Sequence, residues 1–193
     1  MLEDKEGTGP DAPQHLRSGP RPQTRKHADL AQDPAFRKHA VEVLHRFDRL
    51  CPRGQAPVLT ILRVHLLTEY YMERLLAMSL PRGDKITGEV NLSYAQKLAV
   101  LDSLDILDDT EIHCLRALNR VRNSCAHEMD RDITLSDVER IGRPLGSTFT
   151  ALRLEFASDI EQLLMKTLQN VAQSLTYHIW RLESDIAQKH AKK

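Results

Sequence analysis

The C-terminal stretch from Phe149 to Ile186 contains neither glycine nor proline and keeps an apolar stripe at helical spacing throughout. The stripe consists of Leu152, Phe156, Ile160, Leu163, Leu164, Leu168, Val171, Leu175, Ile179, Leu182 and Ile186. One continuous helix of this length would span roughly 55 Å at about 1.5 Å per residue, which exceeds the diameter of a small domain. We therefore expect either a break near Ser158 and Asp159 or a far half that packs against a second chain.

The chain before this stretch also has helical periodicity, interrupted by proline and glycine. Asp33-Pro34 predicts the start of a helix that runs to about Cys51, and a helix that is apolar around more than half its circumference is expected from near Ala56 to Leu80. Further helix starts are predicted by three capping boxes, Ser93 with Gln96, Asp108 with Glu111, and Ser136 with Glu139. The sequence lacks long alternating runs and Asn-Gly or Asp-Gly hairpin turns. The predicted fold is therefore an all-α, up-down helical bundle over residues 33–193, with a long C-terminal helix.

Residues 1–32 form a segment rich in proline and glycine, with charges of both signs and few large apolar side chains. Such a segment cannot bury enough apolar surface to offset the entropy lost on ordering, so it is predicted to be a disordered tail. Its basic residues leave open an arm that binds RNA or a protein partner. These residues are Arg17, Arg21, Arg25 and Lys26.

Charge and cysteine content narrow the class of protein. The 193-residue chain has a formal net charge of zero, which argues against a non-specific nucleic-acid coat but leaves room for a local basic groove. Cys51, Cys114 and Cys125 are scattered, which fits a reduced, cytoplasmic setting. The spacing of Cys114 and Cys125 relative to nearby histidines does not resemble a zinc site, and both are expected to pack as small hydrophobes. No signal-peptide core or run of ~20 apolar residues is present, so neither secretion nor membrane insertion is expected.

The segment LRALNRVRNSCAHE, residues 115–128, combines an apolar helical stripe with a basic and polar face. Arginine neutralises an oxyanion and histidine moves protons near neutral pH, so Arg122 and His127 are candidates for phosphate chemistry. On a helix, Asn123 and His127 lie one turn apart on the same face, and Arg122 lies about 100° to the side. Two copies related by a two-fold axis would place two arginines and two histidines around one cleft.

Such a cleft suits the cleavage of RNA, because only RNA has a 2′-OH that can attack the adjacent phosphate. In this hypothesis His127 transfers a proton, Arg122 stabilises the pentavalent oxyanion, and Asn123 orients the histidine or a phosphate oxygen. This chemistry requires no metal, and no cofactor is predicted. The structural alternative is that His127 caps its helix by interacting with the exposed carbonyls and the negative end of the dipole.

Four other charged residues are weaker candidates. Glu69 is predicted to support the catalytic pair by orienting the arginine or the histidine, or alternatively to be a buried carboxylate paired with an arginine or tyrosine of the bundle. Arg116 and Arg120 lie one helical turn apart and are interpreted as an RNA-binding row or as a solvated face. Lys97 is expected to be a solvated lysine rather than a phosphate contact.

The motif RNSCAH, residues 122–127, resembles the RX4–6H motif of the HEPN superfamily, a group of small and often dimeric helical bundles. The order of the segments 66–76, 92–107 and 115–127 is similar to the order of the HEPN helices. The layout also resembles the mannitol operon repressor family, in which a segment like residues 141–146 precedes a long C-terminal helix.

The HEPN resemblance implies a homodimeric, metal-independent endoribonuclease of toxin–antitoxin or defence systems, with Arg122 and His127 as the catalytic pair. A cognate antitoxin or regulatory protein is then an expected partner. The second resemblance implies a non-catalytic transcriptional regulator or protein-interaction module, one that acts through another protein because no helix-turn-helix reader is evident. The intact arginine and histidine pair favours the enzyme, whereas the neutral charge suits a protein binder.

Overall fold

The computed structural model describes residues 33–128 and 130–191, and the predicted N-terminal tail lies outside these ranges. Within them the chain forms helices and no β-strand, which confirms the predicted all-α bundle. In chain order the helices are α1 (Pro34–Leu50), α2 (Pro57–Ser79), α3 (Gly83–Glu89), α4 (Tyr94–Ser103), α5 (Asp109–His127), α6 (Leu135–Gly142), α7 (Ser147–Glu155) and α8 (Ile160–Ala191). A 3-10 turn at Arg143–Leu145 precedes α7.

Side-chain caps determine where several helices begin. The predicted starts of α1, α4 and α5 are confirmed at Asp33 before Pro34, at Ser93 with Gln96, and at Asp108 with Glu111. At α5 the Glu111 N–H donates to Asp108 Oδ1 at 2.8 Å, and the Asp108 N–H donates to Glu111 Oε2 at 3.0 Å. These bonds satisfy backbone donors that a helix start leaves unpaired, so they fix the start of the helix that ends in Arg122 and His127.

The predicted capping box of Ser136 with Glu139 is wrong. The box is formed by Thr134 and Asp137, whose Oδ2 accepts the Thr134 N–H at 3.1 Å. The buried Asp137 carboxylate also accepts a hydrogen bond from Arg131 Nη2 at 2.8 Å. Burial and pairing of this carboxylate therefore determine where α6 begins. Burial alone would raise the pKa of Asp137, but hydrogen bonds from Thr134 and the charge of Arg131 hold it below its usual value.

Helix α2 is the centre of the bundle, as its apolar circumference predicts, and it packs against α3, α4, α5 and α8. Its fully buried apolar side chains are Ile61, Val64, Met72, Leu75 and Leu76. Part of its apolar surface nevertheless stays outside the core. Leu59, Leu66 and Tyr70, called here the α2 stripe, are exposed by 46%, 62% and 40%. The α2 stripe is therefore a largely exposed apolar face, on which the Arg46 guanidinium of α1 lies over the Tyr70 ring, 4.8 Å from its centroid.

The long C-terminal stretch breaks where one of the two alternatives predicts. Helix α7 ends at Glu155, α8 begins at Ile160, and Asp159 Oδ1 caps the new start by accepting the Gln162 N–H at 2.9 Å. Helix α8 still has 32 residues, or about 48 Å at ~1.5 Å per residue. Its last turns, residues 185–191, are exposed. Across residues 33–128 and 130–191, every helix is too short or too polar to traverse a lipid bilayer.

Candidate functional site

The candidate site lies on the last two turns of α5. Leu115, Leu118 and Val121 on one side of this helix are completely buried in the core. Burial of that side anchors the helix, so the opposite side must face solvent. The helix ends at His127, where the N–H of Glu128 bonds the Ser124 carbonyl. The buried stripe therefore presents the predicted catalytic residues at the protein surface.

Arg122 and Asn123 contact each other, whereas His127 stands apart. Arg122 is half-buried as a residue, and its guanidinium donates from Nη1 to Asn123 Oδ1 at 3.1 Å in an exposed hydrogen bond. His127 is exposed, and its ring forms no hydrogen bond with any described residue, unlike His113, whose Nδ1 bonds the Asp109 carbonyl. The capping interpretation of His127 therefore has no hydrogen bond to support it. One chain presents an oriented guanidinium and a separate, accessible imidazole.

Glu69 pairs with Lys97, not with the arginine or the histidine of the candidate site. The Lys97 ammonium is 2.7 Å from Glu69 Oε1 and 2.7 Å from Glu73 Oε1, and the Lys97 side chain is only 9% exposed. The expectation of a solvated Lys97 is therefore wrong. Burial alone would lower the pKa of this lysine, but the two carboxylates outweigh burial and raise the pKa above its usual value.

Lys97→Met is expected to lower the free energy of unfolding by about 1–3 kcal/mol, because two neighbouring carboxylates lose their shared cation. Methionine keeps most of the buried aliphatic stem, so the change reports mainly on the charge. Urea unfolding measures it. The control is Lys85→Met, which removes an exposed pair with Glu89 and should change stability by less than about 0.5 kcal/mol. Equal effects of the two substitutions would contradict the structural role of Lys97 between Glu69 and Glu73.

A buried histidine missed in the sequence analysis joins α2 to α5 behind the site. His65 is 4% exposed, and its Nε2 lies 3.0 Å from Asn119 Oδ1. The ring also stacks on Tyr94 of α4, with centroids 4.1 Å apart. Burial lowers the pKa of His65, the bond to Asn119 opposes this, and the positive charge of Arg122 lowers the pKa further. His65 recurs at four-residue spacing with Glu69, which was the available sequence clue.

His65→Phe is expected to reduce the loss of stability in mild acid. The pKa of His65 is lower in the folded chain than its ordinary value of about 6.5. At a pH just below that value, the unfolded chain therefore binds more protons than the folded chain. Stability from the neutral ring is therefore complete at higher pH and is lost as the pH falls towards the folded-state pKa. Urea unfolding at about pH 7.5 and about pH 5.5 measures the difference. A variant with the same pH dependence as wild type would contradict this assignment.

Of the two arginines in the basic row on α5, Arg116 forms an ion pair with a described residue and Arg120 does not. Arg116 Nη2 forms an exposed ion pair with Asp102 Oδ2 at 2.8 Å. Arg120 is exposed and has no ion pair with a described residue.

Cys114 is buried and Cys125 is half-buried, as expected for thiols that pack, and burial raises the pKa of Cys114 to about 12. In the described ranges no group of three or more His, Cys, Asp or Glu side chains is arranged to hold a metal ion.

Comparison with family models, with curated proteins and with solved structures finds no match for this chain. The site consists of the Arg122 guanidinium, the accessible His127 ring and the buried His65 behind them.

Proposed function

We propose that this chain is a metal-independent endoribonuclease of the HEPN type, with a toxin-like or defensive role. Arg122 and His127 are the catalytic residues, and Asn123 assists them. The observation that carries the proposal is that the anchored end of α5 holds Arg122 against Asn123 and leaves the His127 ring accessible. The proposed setting is the cytoplasm, where substrate RNA is found and the three thiols stay reduced.

In the proposed reaction the ribose 2′-oxygen attacks the adjacent phosphorus, and the bond from phosphorus to the 5′-oxygen breaks. The proton leaves the 2′-OH to a general base, and a general acid protonates the departing 5′-oxygen. The products are a 2′,3′-cyclic phosphate and a 5′-hydroxyl. His127 supplies the proton transfer, and the Arg122 guanidinium stabilises the charge that builds up on the phosphate oxygens. Arg116 and Arg120, which precede the catalytic residues on α5, are proposed contacts for the flanking RNA backbone.

The reaction needs one group as general base and another as general acid. A second copy of the chain would supply a second His127, so that each histidine takes one of these roles. The proposed contact is the α2 stripe, because Leu66 and its neighbours form an exposed apolar face. This face adjoins the helix edge that bears Glu69 and Glu73. Two-fold pairing of α2 would therefore bring the candidate sites of the two copies to the same side of the interface.

Leu66→Arg is expected to raise the dimer dissociation constant about tenfold or more, because a charged group would enter the proposed apolar contact. The side chain is 62% exposed in the single chain, so the fold itself should tolerate the change. Sedimentation equilibrium measures the mass, and Leu154→Arg, a substitution of the 79% exposed leucine on α7, is the control. A monomeric wild type, or a Leu66→Arg variant as dimeric as the control, would contradict the proposed interface.

Cleavage of labelled RNA by wild type and by His127→Ala, both in EDTA, tests the proposed activity. Wild type is expected to cut and the variant to lose about 10²- to 10⁴-fold in rate. The His127 side chain is exposed, so the variant should unfold at the temperature of wild type. If neither protein cuts any RNA while both fold and dimerise alike, the endoribonuclease proposal fails.

The second candidate is a non-catalytic transcriptional regulator or interaction module similar to the mannitol operon repressor group. One observation favours it, which is that no hydrogen bond joins Arg122 to His127 within the single described chain. In that case the α2 stripe would bind a regulatory protein instead of a second copy. A protein that binds such a partner through Leu66 and never cuts RNA would support this candidate.

A further inference from the structure

We infer that the side-chain amide of Asn119 is a phosphodiester-binding group of the candidate site and that His65 holds it in position. The inference rests on the proposed function, because it assumes that the ligand of this face is an RNA backbone. It adds a substrate contact and a positioning residue that the HEPN-like motif itself does not contain.

Asn119 lies on the same face of α5 as the candidate residues. It precedes Asn123 by one helical turn and Arg122 by three residues, which brings their β-carbons to within about 5–6 Å of its own. The side chain is half-buried, so one end reaches the core and the other reaches the surface. A ligand held by Arg122 and Asn123 would therefore also meet Asn119.

The buried end of Asn119 is its oxygen. His65 donates from Nε2 to Asn119 Oδ1 at 3.0 Å, which directs the amide NH2 away from the core. This NH2 donates to no described residue. Asn123 is arranged in the same way, because its oxygen accepts the bond from Arg122. Two amide NH2 groups and a guanidinium thus form a donor face, made of Asn119, Asn123 and Arg122, whose acceptor atoms are already used.

A donor face without acceptors matches a phosphate, whose non-bridging oxygens only accept hydrogen bonds. Side-chain amides and arginines are common phosphate ligands in nucleic-acid complexes, where such contacts position the backbone. A neutral amide cannot transfer a proton in this reaction, so its role is to hold the phosphodiester beside Arg122. The expected effect of losing it therefore falls mainly on KM and on affinity.

Three contacts hold His65, the support behind Asn119, in place. The His65 ring stacks on Tyr94 at a centroid distance of 4.1 Å, and the Tyr94 hydroxyl lies 3.0 Å from Thr68 Oγ1. Thr68 in turn donates to the His65 carbonyl at 2.9 Å. This closed set of contacts fixes the ring and its backbone, so the bond to Asn119 keeps a single direction.

The support also has an unsatisfied atom that packing alone does not explain. His65 Nδ1 is buried without a hydrogen-bond partner, although buried polar atoms are usually paired. An apolar ring of the same size would fill this space on Tyr94 without leaving such an atom. Orientation of the Asn119 amide gives a reason for an imidazole at this place.

Three variants separate a binding role from a structural one. Asn119→Leu removes the amide, His65→Phe removes the donor behind it, and the double variant removes both polar partners together. Loss of both partners is expected to restore stability relative to Asn119→Leu, because no buried donor is left unpaired. The measurements are thermal unfolding, kcat and KM on labelled RNA, and affinity for a non-cleavable 2′-O-methyl oligonucleotide by fluorescence anisotropy. Asn170→Leu, a half-buried asparagine on α8, is the control.

The double variant is expected to unfold near the wild-type temperature yet to bind the oligonucleotide about tenfold more weakly and to show a raised KM. His65→Phe alone should show a smaller rise in KM, because the amide remains but is free to turn. A double variant that recovers wild-type affinity and KM would overturn the inference and leave the proposed function standing. A wild type that neither cuts RNA nor binds the oligonucleotide would overturn both.

Discussion

Arg122→Ala is expected to lower kcat for RNA cleavage by about 10²- to 10³-fold, as the loss of one group that stabilises transition-state charge does elsewhere. The guanidinium is oriented by Asn123 at 3.1 Å, so it is preorganised before the substrate arrives. Charge grows on the phosphate oxygens only as the 2′-oxygen attacks, which places the effect on kcat more than on KM. Single-turnover cleavage at saturating RNA measures the change.

Two further variants sharpen this prediction. Arg122→Lys keeps the charge but loses the planar fork, so it should recover only part of the lost rate. Arg153→Ala removes an exposed arginine that pairs with Glu139 on another side of the bundle, and it should cut RNA at the wild-type rate. If Arg122→Ala and Arg153→Ala have the same kcat, the catalytic role of Arg122 is refuted.

Gly83→Ala is expected to lower the free energy of unfolding by about 3 kcal/mol. Gly83 begins α3, where the chain passes directly over the end of α2. A β-carbon at Gly83 would lie 2.3 Å from the Leu76 carbonyl oxygen and 2.6 Å from Ala77 Cα. Both atoms belong to the backbone of α2, so no side-chain rotation relieves the clash. Helix α3 or the end of the central helix must move.

Gly88→Ala is the matched control within the same helix. Nothing lies within 4 Å of a β-carbon built at Gly88. Alanine there should therefore stabilise α3 by about 0.5–1 kcal/mol, since glycine is the poorer helix former. Urea unfolding of the two variants measures the contrast. Two variants of equal stability would show that α3 does not pack against α2 as described.

The features that could be predicted from sequence depend on residues close together in the chain. Ser93 with Gln96 and Asp108 with Glu111 satisfy backbone donors within one turn, so their chemistry is visible locally. The break before α8 is another example, because Asp159 caps a helix start three residues away. The order of helices and the exposed end of α5 follow from such local patterns.

The features that could not be predicted depend on side-chain contacts between different parts of the structure. The sequence around Lys97 predicts a surface lysine. Its burial follows only from the packing of α4 on α2, which brings Lys97 to Glu69 and Glu73. The bond from His65 to Asn119 joins residues 54 positions apart, and the four-residue spacing of His65 with Glu69 does not indicate this partner. The capping box predicted at Ser136 for α6 was also wrong, because Asp137 is held by Arg131 as well as by its bonds to Thr134. In each case the outcome depends on a side-chain pair that helical periodicity does not encode.

The chemical end group of the product shows whether the end of α5 cleaves RNA through the 2′-OH. Wild-type protein in EDTA would be given a labelled RNA and the same strand with 2′-deoxyribose at the cleaved position. Attack by the 2′-OH should give a 2′,3′-cyclic phosphate from the RNA and no cleavage at the deoxy position, where the attacking oxygen is missing. Cleavage at the deoxy position, or cleavage that stops in EDTA, would contradict it.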